Sequence, residues 1–243
     1  MYDYKKGNER LNDILNSTIN LEEKDSIPSD DQFTFEKGYK TWISSIFVDI
    51  RNSRNFFENE NQEEVAKIMR AFTFEICEIM SNYDKESEIG IRGDCVYGIF
   101  STPLKNYVYN IANMSFYINT SINLLNLKIK NYTELDSISV GIGVATSEIT
   151  VIKSGHKYKV INDKIWIGDA VVEASHLSNI ANRIGNKAII FSKLCYNNFI
   201  NLFKEEQPES YSRFNIITSE GKFCYATGII ITGFNDYINS LNQ

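Results

Sequence analysis

The sequence predicts an α+β fold with a ferredoxin-like βαββαβ core, followed by further strands and helices. Three observations point there. Apolar runs of strand length occur at Trp42–Ile50, Cys95–Phe100 and Ser137–Ala145. Two helical segments, Gln62–Met80 and Pro103–Leu127, separate them. The pair Gly93-Asp94, between Glu88–Arg92 and Cys95–Phe100, reads as a hairpin turn. Strand, helix, strand, strand, helix, strand is the order of the split βαβ plan.

Residues 1–40 are polar and broken at Pro28-Ser29-Asp30-Asp31, with a short helix expected over Glu9–Ile19. They read as an N-terminal arm or appendage. Organised sequence starts near Thr41. Trp42–Ile50 is rich in Ile, Phe and Val and reads as a buried strand, and Arg51–Asn55 follows as a turn. Gln62–Met80 carries Val65, Ile68, Met69, Phe72, Ile76 and Ile79 at helical spacing, which gives one buried face. Pro103 suits the first turn of the second helix. Val151–Ile161 is strand-like. Gly168–Ile184 reads as a helix with Asp169 as N-cap. Ala188–Phe191 is a short strand before a helix from Ser192 to about Phe203. Phe214–Thr218 and Phe223–Thr232 suggest a closing hairpin within a C-terminal extension over 204–243.

The 243 residues are 43% hydrophobic, enough for a sizeable core. The net charge of −6 argues against a nucleic-acid polymer as partner. Cys77, Cys95, Cys195 and Cys224 form no CxxC pair and suit reduced thiols in the cytoplasm. Two histidines make a His-based zinc site a poor fit. No apolar signal core or membrane-length run is present.

Asp49 and Asp94 carry the functional reading. Each ends or interrupts an apolar strand, where a carboxylate meets the sheet margin. A single such Asp is ordinarily a turn or cap residue. In the βαββαβ plan the two strands lie side by side, so the two carboxylates approach each other. Magnesium and manganese favour oxygen ligands and keep sites for water and phosphate. The Ile50 carbonyl could complete such a site. The turn containing Arg51, Asn52 and Ser53 could aim backbone N–H groups at phosphates.

Four motifs occur in order: Phe47-Val48-Asp49-Ile50, Gly93-Asp94 through Phe100, Gly141-Ile142-Gly143, and Trp166-Ile167-Gly168-Asp169-Ala170-Val171 with Ala174-Ser175. On these, the stretch from Thr41 to Phe203 resembles the catalytic domain of class III nucleotidyl cyclases. The resemblance implies a βαββαβ core of that type with extra strands and helices. It also implies two divalent ions, Mn²⁺ or Mg²⁺, bridged by Asp49 and Asp94. The sites would lie at the interface of a head-to-tail homodimer. The 3′-oxygen of a nucleoside triphosphate would attack its α-phosphorus.

Departures from the purine cyclases are informative. Their base-selecting positions fall on Gly90 and Ile165, and their helix Asn and Arg on Val172 and His176. The metal ligands remain while the purine-reading groups are replaced. The chain is thus similar to the pyrimidine cyclases of the bacterial Pycsar antiphage system, which make cyclic UMP or cyclic CMP for a separate effector. UMP is preferred as the commoner product of that branch; no residue here decides between the two. A purine cyclase with an unusual pocket and an inactive, dimeric cyclase-like regulator are the alternatives. No GGDEF signature of a diguanylate cyclase is present.

Other contacts are expected on this reading. Arg92 shares a strand face with Asp94 and could meet base or phosphate. His176 and Asn179 share a helix face with Val172 and could replace the missing Asn and Arg. Tyr39 and Trp42 could stack on a base, though core or interface roles suit them better. Lys222 could reach phosphate. His156 is expected to be exposed.

Overall fold

A computed structural model describes residues 1–58, 61–155, 162–183 and 187–241. His156 lies outside them. The first elements are helix α1 (Tyr4–Leu15), strands β1 (Asn20–Glu23) and β2 (Lys37–Ile50), and helices α2 (Ser53–Phe57) and α3 (Gln62–Ser81). Strands β3 (Ser87–Arg92) and β4 (Cys95–Ser101), helix α4 (Lys105–Tyr132) and strand β5 (Val140–Gly155) complete the core. Strand β6 (Asn162–Ile167), helix α5 (Asp169–Ile180), strand β7 (Ile189–Ser192) and helix α6 (Lys193–Glu206) follow. Strands β8 (Asn215–Ser219) and β9 (Lys222–Thr227) and helix α7 (Thr232–Ser240) close the chain.

The strands form one sheet in the order β3-β4-β2-β5-β7-β9-β8, with β1 beside β2 and β6 beside β5. The four core strands pair antiparallel, as the βαββαβ plan requires. Strand alternation assigns the two faces. Ile46, Val48 and Ile50 of β2 and Val96 and Phe100 of β4 enter the main core, with Ile68, Phe72 and Ile76 of α3 and Ile111 and Phe116 of α4. The intervening residues Phe47, Asp49, Cys95 and Tyr97 therefore face the other side, which α5 only partly covers. That open side carries the cleft described below.

Helix α3 forms where its apolar spacing predicts, and its start is fixed locally. The Asn61 side chain accepts from the Glu64 N–H at 3.3 Å, and Glu63 and Glu64 favour the positive end of the helix dipole. Helix α5 starts differently from the expectation. Asp169 is its first helical residue rather than its cap, and Ser147 Oγ of β5 accepts from the Ala170 N–H at 3.0 Å. A strand residue already supplies the capping oxygen, so Asp169 is left exposed.

The Gly141-Ile142-Gly143 motif sets how closely α5 lies on the sheet. A Cβ on Gly143 would come within 2.0 Å of Ala174 O and 2.3 Å of Ser178 N. These are backbone atoms of a packed helix, so no side-chain rotation relieves the conflict. Gly143→Ala is expected to destabilise the fold by about 2 kcal/mol. The melting temperature should fall by roughly 4–8 °C for a domain of this size, which thermal melts followed by circular dichroism would measure.

The first forty residues are not a separate arm throughout. β1 adds to β2 in parallel register, from Asn20 opposite Lys37 to Glu23 opposite Lys40. Ile27 and Phe33 are buried, and the Ile27 N–H donates to Ser101 Oγ at 2.8 Å. Only α1 stands out from the body, with Gly7 its one buried residue. At the other end the closing hairpin forms and joins β7, and α7 follows it without having been anticipated. Among the described residues, no helix is long and apolar enough to cross a membrane.

Candidate active site

Asp49 sits one residue from the end of β2, opposite Cys95 of β4 and Gly141 of β5. Asp94 is the second central residue of the two-residue β3–β4 turn. Gly93, the first, has φ +64°, and no atom lies within 4 Å of where its Cβ would be. Glycine is needed there for the backbone, not for space. Because Cys95 is opposite Asp49, the tight turn delivers Asp94 beside Asp49.

Burial pushes the Asp49 carboxyl up from its ordinary value; Arg51 opposes that shift, and the nearby Asp94 adds to it. Asp49 Oδ2 accepts from Arg51 Nη2 at 2.7 Å. Among the described residues, no donor reaches Asp49 Oδ1 or either Asp94 carboxylate oxygen. Two converging carboxylates with free oxygens suit divalent cations. No larger group of three or more His, Cys, Asp and Glu side chains is placed to hold a metal among those residues. A magnesium-like ion tolerates one or two carboxylates when phosphates and waters fill the rest. The Ile50 carbonyl also fits. The Arg51 N–H donates to Ser139 O at 2.8 Å toward β5, and planarity of the peptide turns the Ile50 carbonyl toward β4.

The Arg51 backbone N–H, expected to face phosphates, is instead spent on Ser139 O, and the side chain turns inward. That side chain is only 4% exposed. Besides Asp49 Oδ2, Nη2 donates to Asp49 O at 3.1 Å and Ser178 O at 2.9 Å, and Nη1 donates to Asn179 O at 2.9 Å. The guanidinium thus caps the last carbonyls of α5 and grips the aspartate, and its Nε is buried, so the group is committed to the protein rather than to a phosphate. Gly141 makes room for it, since a Cβ there would stand 2.7 Å from Arg51 Nη2 and 2.3 Å from Ser178 O.

A cleft of about 610 Å³ opens from Asp49 across the sheet face. Arg92, His176 and Asn179 line it, together with Val172. His176 Nε2 hydrogen-bonds Ser219 Oγ at 2.9 Å, and Asn179 Oδ1 accepts from Arg183 at 3.2 Å. Asn52 and Ser53 begin the five-residue α2 just past Asp49, and their backbone N–H groups donate to no other described residue. Asn52 takes a left-handed conformation at φ 56°. Ile165 does not line this cleft, whereas its neighbours Lys164 and Trp166 do; it is exposed on the other face of β6. Tyr39 is a core residue whose hydroxyl donates to Gln32 O at 2.8 Å, and Trp42 lies on the sheet face away from the cleft. Lys222 stands near Glu173 outside it.

Several lining residues were not singled out in the sequence: Phe47, Glu88, Cys95, Tyr97, Lys164 and Trp166. The β2–β4 register gives Cys95 and Tyr97 directly, since they face Asp49 and Phe47. Lys164 was less accessible to such reasoning. It bridges Asp30 at 2.7 Å and Glu88 at 2.8 Å, and so latches the N-terminal segment across the cleft rim.

The latch has a defined pH window. Burial alone would lower the Lys164 pKa, but hydrogen bonds to Asp30 and Glu88 outweigh it and raise the value above 10.5. The hydrogen bond from Lys164 lowers Asp30 below 3.8. The Lys164 contribution is complete below pH 10.5 and is lost as pH rises through its raised value. The Asp30 contribution is present above pH 3.8 and is lost as pH falls through its lowered value. Asp30 is exposed, so the effect is small, under about 1 kcal/mol. Asp30→Asn should lower the urea midpoint slightly and evenly between pH 5 and 9, with the difference closing in acid.

No family model matches the chain. The uridylate cyclase of Treponema porcinum is 42% identical over 238 residues, spanning 98% of this chain and 81% of that protein. This chain belongs to the uridylate cyclase family. The uridylate cyclase of Gulbenkiania mobilis is 30% identical across 81% of this chain and 79% of that protein. Among solved structures, the adenylyl cyclase CyaB from P. aeruginosa superposes with a TM-score of 0.63 at 19% identity, covering 78% of this chain and 95% of that one. A class III adenylyl cyclase-like ATP-binding protein from Pseudomonas aeruginosa gives 0.66 at 15% identity, covering 97% of this chain and 49% of that one. At such identities these structures bear on the fold alone. The fold is of the class III cyclase type, as the four motifs imply, and the family is a cyclase family.

Proposed function

We propose that this protein converts UTP to 3′,5′-cyclic UMP and pyrophosphate, with two divalent ions and as a homodimer. The observation that carries the reading is Asp49 at one end of the cleft with the Asp94 carboxylate beside it, in a chain 42% identical to a uridylate cyclase. Asp49, Asp94 and the Ile50 carbonyl would hold the ions, which lower the 3′-hydroxyl pKa and offset charge on the leaving phosphates. The 3′-oxygen attacks the α-phosphorus. The bond from that phosphorus to the β-bridging oxygen breaks, pyrophosphate leaves with the electron pair, and the hydroxyl proton passes to solvent.

The chain's own groups position these events. Arg51 fixes the Asp49 carboxylate before substrate arrives, so little reorganisation is needed during reaction. Arg92, which lines the cleft and has no hydrogen-bond or ion-pair partner among the described residues, would meet a phosphate. Lys164 is engaged by two carboxylates, and His176 by Ser219, so among the described residues one chain offers few uncommitted cations beyond Arg92 and Arg183 to a triphosphate. That deficit supports a head-to-tail dimer in which a second copy completes the site. Val172, which lines the cleft at 69% exposure, is an apolar surface suited to such a contact. By likeness to the Pycsar branch, the cyclic product would be a diffusible signal read by a separate effector in antiphage defence.

The test is incubation with UTP and Mn²⁺, with the product identified by mass spectrometry and NMR, beside sedimentation of the same sample. Cyclic UMP from a dimer is the expected result. Pyrophosphate without a cyclic product, or an active monomer, would overturn the corresponding part.

A further inference from the structure

We infer that Tyr97 is the base-contacting, specificity-determining residue of this cleft: its ring forms the floor under a single-ring base and its hydroxyl meets the polar edge of that base. The inference rests on the cyclase reading above and goes beyond it by assigning the base contact.

Position along the strands comes first. Phe47 lies two residues before Asp49 on the same face of β2, and Tyr97 lies opposite Phe47 as Cys95 lies opposite Asp49. One same-face step along a strand is about 7 Å. A nucleotide with its α-phosphate beside Asp49 spans that step with its ribose and brings its base over the Phe47–Tyr97 pair.

The Tyr97 ring is also held in one place. It stacks on Phe47 with ring centroids 5.3 Å apart and planes 16° from parallel. On its other side it lies across Gly90 of β3, its register partner. A Cβ on Gly90 would fall within 2.4 Å of Tyr97 Cζ and Oη. Gly90 has no positive φ, so its backbone accepts other residues, and the ring alone demands glycine there. The absence of a side chain at Gly90 is thus the space that the Tyr97 ring occupies.

The hydroxyl is unspent. Tyr97 Oη has no hydrogen-bond partner among the described residues, yet it lines the cleft. The hydroxyl can donate to a base carbonyl or accept from a base amine, so it suits uracil and cytosine alike. The ring edge that fills the space over Gly90 takes up room that a two-ring base would use. Trp166 lines the cleft from β6, and Val171 from α5.

The experiment compares wild type, Tyr97→Phe, Tyr97→Ala and Gly90→Ala, each checked for an unchanged fold by thermal melt, in steady-state assays with UTP and with ATP. Tyr97→Phe should lower kcat/KM for UTP about tenfold, mainly through KM. Tyr97→Ala should lose about tenfold to a hundredfold with UTP, the scale of one base–aromatic stack. Its UTP-to-ATP ratio should also fall by tenfold or more. Gly90→Ala should lower UTP turnover by lifting the ring, and Gly90→Ala combined with Tyr97→Ala should be no worse than Tyr97→Ala alone. Variants that fold and keep the wild-type KM and UTP-to-ATP ratio would overturn the assignment of Tyr97 while leaving the cyclase reading intact. A wild-type protein that cyclises no nucleotide would overturn the cyclase reading itself. Should Tyr97→Ala fail to fold, Tyr97→Phe and Gly90→Ala decide the matter by the same two ratios.

Discussion

Asp94→Ala is expected to abolish turnover, by at least about a thousandfold or ~4 kcal/mol of barrier, while leaving the fold intact. The two halves of that expectation have separate causes. Asp94 is half-buried in a two-residue turn whose shape is set by Gly93, and no described donor holds its carboxylate. Removing the carboxylate therefore costs no packing. The same freedom is what makes its oxygens available to a cation next to Asp49. Asp49→Ala should be equally inactive but structurally less clean, because it leaves the buried Arg51 guanidinium without its counter-charge. Turnover with UTP and Mn²⁺, read beside melting curves of both variants, checks the pair. An active Asp94→Ala protein would remove Asp94 from the metal site.

Arg51→Met should be the largest loss from a residue that touches no substrate. The guanidinium makes four hydrogen bonds, two of them to α5 carbonyls and two to Asp49. Methionine fills similar volume but leaves Ser178 O and Asn179 O unpaired and a half-buried carboxylate alone. The cost is about 3 kcal/mol, or a melting temperature roughly 6–12 °C lower. Asp49 would then protonate more readily, since burial already raises its pKa and Arg51 is the main opposing influence. Activity should fall more at pH 6 than at pH 8, whereas a purely structural loss would scale both equally. Arg51→Lys should recover part of the charge effect but little of the stability, because an ammonium cannot span the carboxylate and both carbonyls.

The approach of Asp49 and Asp94 was legible because its determinants are local. Strand alternation puts Asp49 at a sheet margin, Gly-Asp sets a hairpin, and the βαββαβ order makes the two strands neighbours. Arg51 was not legible. In sequence it opens an Arg/Asn/Ser turn and looks solvated, and only the approach of α5 over Gly141 turns it inward. The face that Ile165 presents was not legible for a related reason. A motif position fixes a place along β6, but the pairing of Ile165 with Ile152 of β5 decides which face it presents. Gly90 was visible as a missing side chain, yet its meaning lay in Tyr97, a residue seven positions on that only the hairpin register brings across it. Strand β1, with the polar sequence NLEE, has no apolar pattern because it adds to an edge with its side chains largely exposed.

The most direct test of the account is competition. Wild-type protein is given ATP, GTP, CTP and UTP together at equal concentration with Mn²⁺, and the cyclic products are resolved by mass. The account predicts 3′,5′-cyclic UMP as the dominant product, absent when Asp94→Ala replaces wild type. Cyclic AMP or cyclic GMP in excess, or no cyclic product at all, would contradict it.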